Sequence, residues 1–106
     1  MEKSQKENQK IVSRKIYLLT AAINDISDAV NYYNEQKENL GESFLEELDK
    51  LFEILSFFPE IFPIKRKNYH EAVMKKFPYV VVYTVEGNKI LIYAVFHTRR
   101  SPDEKP

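Results

Sequence analysis

The chain has 106 residues, 43% of them hydrophobic and 13% aromatic, with 16 basic and 16 acidic side chains, five Pro, two Gly and no Cys or Trp. That length predicts one small domain, and seven Phe with seven Tyr supply enough bulk for a core, which excludes disorder throughout. Without cysteine there is no disulfide scaffold, thiol nucleophile or iron–sulfur site, and the longest strongly apolar stretch, residues 77–85, falls far short of the ~20 residues a membrane helix needs.

Residues 1–13 are polar, lack apolar periodicity and show no leader-like apolar run, so they are expected to form a flexible arm on a cytoplasmic protein. Residues 14–19 read as a short strand, with Thr20 suited to cap a following helix. In that helix Ala22, Ile23, Ile26, Ala29, Val30 and Tyr33 recur at spacings of three and four and share one face, and the helix is expected to end near Asn39. Gly41 is read as the left-handed residue between it and a second helix, whose stripe is Phe44, Leu48, Leu51, Leu55 and Phe58, widened by Leu45 and Phe52. Pro59 and Pro63 end it.

Three strands are expected next, over residues 69–76, 79–85 and 89–98, because these runs are rich in Val, Ile, Tyr and Phe and are separated by Phe77-Pro78 and Glu86-Gly87-Asn88. The second break predicts an antiparallel hairpin. The predicted fold is α+β, ordered β-α-α-β-β-β, with a helical hairpin on one face of a mainly antiparallel four-stranded sheet. Residues 79–83 and 90–96 are apolar at both alternating sets of positions, so the second sheet face is expected to be covered too, by a partner chain, by the connection at residues 61–67 or by the chain's arms. Net charge is zero but unevenly placed: residues 21–62 carry ten acidic and two basic groups, and residues 63–100 carry eight basic and two acidic. Such a polarised chain steers acidic partners or polyanions to one end.

With that order in place, residues 77–83 (Phe-Pro-Tyr-Val-Val-Val-Tyr), residues 95–102 (Val-Phe-His-Thr-Arg-Arg-Ser-Pro), the acidic segment 40–48 and the helix exit 57–60 together resemble the RelE/ParE family of toxins from type II toxin–antitoxin modules. The likeness runs from residue 15 to 102, within a single domain at 14–102 followed by a tail at 103–106. It implies a bacterial plasmid-stabilisation type of protein that arrests growth unless a cognate antitoxin binds it, with a homodimer or a toxin–antitoxin hetero-oligomer as the assembly.

The family divides by target. RelE-like members are ribosome-dependent endoribonucleases that cut mRNA without a metal, which requires a base, an acid and cations at the phosphate. ParE-like members inhibit DNA gyrase. Arg99 matches the position at which ribonuclease members keep an arginine, and a guanidinium there suits forked phosphate binding. Val80 stands where RelE-like members place a second arginine, and residues 101–106 hold no Tyr or His. These departures favour gyrase inhibition, with RNA cleavage as the alternative and a non-toxic partner-binding protein of the same fold as the third reading. If the chain is an enzyme, His97 and Arg99 are the catalytic candidates; Lys75, Lys76, Arg99 and Arg100 are the candidates for contacting the target. Regular alternation along the last strand would place Tyr93, Val95, His97 and Arg99 on one face. Glu71 is a weaker acid–base candidate, and His70 reads as a solvent-edge residue. No cofactor or metal is expected, since no phosphate-binding Gly loop or metal-spaced ligand set is present. The strand tyrosines Tyr69, Tyr79, Tyr83 and Tyr93 are read as core or as a base-stacking platform.

Overall fold

A computed structural model describes residues 13–99. The elements are β1 (Lys15–Leu18), α1 (Thr20–Gln36), α2 (Leu40–Phe57), β2 (Ile64–Arg66), β3 (Tyr69–Val73), β4 (Tyr79–Glu86) and β5 (Lys89–His97). They build a two-layer α+β domain in which the helices pack on one face of a five-stranded sheet ordered β1-β5-β4-β3-β2. Only the β1–β5 pair is parallel among the described strands. The sheet therefore has one strand more than expected. The addition is β2, whose three residues Ile-Lys-Arg follow a proline and carry no apolar run.

The helices join more tightly than a glycine stop would provide. Asn39, not Gly41, takes the left-handed conformation, with φ 69°. Gly41 lies inside the first turn of α2, where its N–H donates to Asn34 Oδ1 at 2.8 Å. A Cβ there would lie 2.7 Å from the Val30 carbonyl oxygen, so glycine is needed for close helix approach. Thr20 is likewise within α1; Leu19 occupies the cap position, without a side-chain cap.

Ala22, Ala29 and Tyr33 of α1 and Phe44, Leu48, Leu51 and Leu55 of α2 are buried as their spacing predicts. Ile23 instead stays 50% exposed, and Phe58, which caps the end of α2 outside the helical conformation, is 61% exposed. The helices meet Val81, Tyr83, Ile90, Ile92 and Val95 of the central strands. Tyr33, Phe44, Phe77 and Tyr79 add an aromatic cluster with ring centroids 4.9–6.1 Å apart, a spacing suited to edge-to-face attraction.

On the opposite face Val80, Val82, Ala94 and Phe96 form a second buried cluster, flanked by Tyr69 and Tyr93. These four side chains are buried, so the doubly apolar runs correspond to shielding on both faces of the sheet. The connection after α2 lies on the helix side instead, where the Pro59 carbonyl accepts from the Tyr83 hydroxyl at 2.6 Å and the Phe62 carbonyl accepts from His70 Nδ1 at 2.6 Å. His70 is thus no solvent-edge residue. It is 6% exposed and stacks on Tyr83 with ring centroids 4.8 Å apart. Burial, opposed by a backbone hydrogen bond at Phe62 and aided by the charge of Glu60, pushes the Tyr83 hydroxyl up to about 12.

Candidate functional site

Register along β4 and β5 decides what the basic distal half presents. Tyr79 pairs with His97, Val81 with Val95 and Val82 with Ala94, but Tyr83 pairs with Ile92, so Tyr93 is an extra residue. This bulge reverses the alternation on one side of it. Val95 and His97 consequently share the helix side with Ile90 and Ile92, and Tyr93 joins the opposite cluster, contrary to regular alternation. Asp25 of α1 secures the distorted edge. Its carboxylate accepts from the Val95 N–H at 2.9 Å, just past the point where β1 ends with the Leu19 N–H donating to the Ile92 carbonyl. Helical spacing alone puts Asp25 off the apolar stripe of α1; the bulge that gives it a partner leaves no trace in the residue pattern.

The same ladder brings the basic residues to one end of the sheet. Beyond the Tyr79–His97 pair, the Thr98 N–H donates to the Pro78 carbonyl at 2.8 Å, and the Met74 N–H donates to the Tyr79 carbonyl at 2.9 Å. The turn between β3 and β4, which carries Lys75 and Lys76, and the exit of β5, which carries Arg99, therefore flank the start of β4. All three cations are exposed. Arg100 lies outside the described residues, as do the arm up to residue 12 and the tail at 103–106. Glu71 is on β3, half-buried and opposite Val82, on the face away from His97.

His97 is half-buried, with its ring edge-on to Tyr79 at 5.2 Å. Its Nδ1 accepts the Arg99 backbone N–H at 3.1 Å. An accepting Nδ1 carries no proton, so neutral His97 holds its proton on Nε2. The imidazole thereby fixes the turn from which the Arg99 guanidinium projects. Tyr79, read as core or stacking surface, is core. Val80, at the position of interest for RNA chemistry, is 7% exposed within the apolar cluster on the other face. The site thus offers exposed cations held by a rigid strand pair, suited to an anionic surface. Among the described residues there is no group of three or more His, Asp or Glu able to hold a metal.

Fold and site together define a small two-layer α+β domain with exposed cations at one end of its central strands. Residues 16–102 match the family described as ParE toxin of type II toxin–antitoxin system, parDE, and the chain belongs to that family. Among solved structures, it resembles a chain of the "Chromosomal ParDE TA system from P. aeruginosa", with a TM-score of 0.72 and 11% identity over 82% of this chain and 98% of that one. No curated protein matches the sequence. Among the described residues no helix is long and apolar enough to cross a membrane.

Proposed function

We propose that this chain is the growth-inhibiting toxin of a bacterial type II toxin–antitoxin module, cytoplasmic and neutralised by a cognate antitoxin, and that it acts in the ParE manner on DNA gyrase. The environment of Val80 carries the choice of target. Metal-independent RNA cleavage needs cations around the phosphate to stabilise the charge that builds there. Here that position is an alkyl side chain packed with Val82, Ala94 and Phe96, and a charge placed in that cluster would be desolvated and unpaired. Lys75, Lys76, Arg99 and Arg100 are assigned to contact the target or acidic groups of the antitoxin.

The RelE-like reading, ribosome-dependent mRNA cleavage, rests on His97 and Arg99 being adjacent and linked. One experiment separates the readings. The chain is induced alone in a bacterial host, growth is followed, 5′ ends are mapped on a translated message, and purified protein is added to a gyrase supercoiling assay. Growth arrest with inhibited supercoiling and intact message is the expected result. Cuts within codons on translated RNA would replace this reading with the ribonuclease one, and unimpaired growth would leave the non-toxic partner-binding protein.

A further inference from the structure

We propose that the cleft between α2 and the outer edge of β3 takes up an extended polypeptide segment of a partner, which lays apolar side chains inside it, sets carboxylates on its rim and adds to the sheet beside Val73. The inference deepens the assignment of Lys75 and Lys76 to partner contact and rests on that reading at those two residues. Its test is binding, which is read apart from growth arrest.

The strand edge supplies the first reason. In an antiparallel ladder, residue pairs alternate between those that exchange hydrogen bonds and those that do not. The Met74 N–H donates to the Tyr79 carbonyl at 2.9 Å, so Met74 turns its backbone groups toward β4, and Val73, one residue earlier and opposite Val80, turns its own outward. Strand β2 does not meet them, because it pairs with β3 at Tyr69 and His70 and is preceded by Pro63. Among the described residues no strand lies beside Val73, which is 58% exposed. An open strand edge is completed by an extended peptide through main-chain hydrogen bonds.

The cleft supplies the second reason. Its floor is Leu51, Phe62 and Met74, and Ile54 stands exposed on its α2 side. Val73 lines it as well. The Val73 side chain shares the face of Val80, away from the helices, so the cleft reaches the strand edge itself. It encloses about 260 Å³, below the ~300–1,000 Å³ that holds a whole small molecule and suited to side chains projecting from a bound strand. In a strand paired at Val73, the residues on either side of the paired one point to the helix face, over this floor.

The rim supplies the third reason. Lys50 comes from α2, and Lys75 and Lys76 from the turn after β3, all exposed, against a single carboxylate, Glu47. None of the three ammonium groups has an ion-pair partner among the described residues. Charge complementarity is met by carboxylates carried beside the apolar side chains. A nucleic acid would bring phosphates to the lysines, but neither alkyl groups to the floor nor a strand to the edge.

The test uses the full chain, ¹⁵N-labelled, titrated with an acetylated and amidated Glu-Leu-Val-Leu-Glu peptide and with its Gln-Leu-Val-Leu-Gln counterpart. The expected result is a dose-dependent shift of the Ile54, Val73, Lys75 and Lys76 amides, with the Gln peptide at least fivefold weaker, and exchange of the Val73 amide slowed at least ~10-fold in the saturated complex. Lys50→Gln combined with Lys75→Gln and Lys76→Gln, all at exposed positions, should bring the two peptides to within twofold of each other. No shift at these amides, equal affinities of the wild-type chain for the two peptides, or an unchanged Val73 exchange rate overturns the proposal. So do decauridylate or octanoate shifting the same amides more strongly, a dimer in sedimentation that the triple variant dissolves, and Overhauser contacts from residues 1–12 into the cleft, which assign it respectively to nucleic acid, to a small amphiphile, to a second copy and to the chain's own arm. Peptide binding by a chain that fails to arrest growth upholds this site and overturns the proposed function alone.

Discussion

Tyr83 sits fully buried in the middle of β4, stacked on His70, with its hydroxyl donating to the Pro59 carbonyl. The connection after α2 is held to the sheet through this pair. Tyr83→Phe removes one buried bond and leaves the Pro59 carbonyl unpaired, at a cost of about 1–2 kcal/mol in denaturant unfolding. The same hydroxyl sets an alkaline limit. Its value in the fold is about 12 against 10.0 for the free group, so between those values the unfolded chain has given up the proton while the folded chain keeps it. The contribution of this group is therefore complete below pH 10 and is lost from there toward pH 12, by about 2–3 kcal/mol. Tyr83→Phe should flatten this decline, as measured by urea midpoints across that range. Arg99 is a contrasting case, since its structural bond to His97 uses the backbone N–H, which alanine retains. Arg99→Ala should leave the melting temperature nearly unchanged and abolish growth arrest on induction; full toxicity in that variant would remove Arg99 from the target-binding surface.

The helical hairpin depends on the approach of α2 to α1 at Gly41. Gly41→Ala would set a methyl group 2.7 Å from the Val30 carbonyl oxygen and 2.8 Å from the Asn34 amide group. Because the nearest atom is backbone, the helices must separate, and the variant should lose about 1–3 kcal/mol despite alanine's higher helix propensity. Thermal unfolding checks this; a stabilised variant would mean that the hairpin relaxes freely. The glycine was visible in the sequence, yet its role was not, because a close approach between two helices is a tertiary fact and a left-handed stop is a local one. The same distinction runs through the other elements. The stripes of both helices and the β4–β5 hairpin were legible because burial imposes a period on residues. That hairpin closes through Gly87, with φ 62°, followed by Asn88, as a two-residue turn requires. Strand β2 and the bulge at Tyr93 were not legible: β2 is an exposed three-residue edge with nothing to bury, and one extra residue in an all-apolar strand breaks no visible pattern. The grouping of Lys75 and Lys76 with Arg99 depends on strand register, so the sequence identified the cations without their meeting point.

Across the whole molecule, protection from solvent is graded along the sheet. Strand β4 is paired on both edges, with β3 and β5, and covered by apolar clusters on both faces, whereas β2 is exposed at all three residues and, among the described residues, pairs only with β3, in an irregular register. Amide exchange should report this directly. The inner amides of β4 and β5 should exchange only through global unfolding, with a free energy equal to that from denaturant titration, while those of Ile64–Arg66 open locally and exchange at least ~100-fold faster. Equal rates throughout would mean that β2 is an integral part of the cooperative unit. The gradient also bears on how the basic end works. Lys75, Lys76 and Arg99 project from turns whose bases are the first and last residues of the most protected strand pair, Tyr79 and His97. A rigid base under mobile tips lets long cationic side chains meet an anionic surface with little ordering of backbone on binding. Shortening a tip should then weaken the encounter without loosening the base, so Lys75→Ala with Lys76→Ala should reduce growth arrest while β4 exchange stays at the global rate; slower arrest accompanied by faster β4 exchange would instead assign the lysines a structural role.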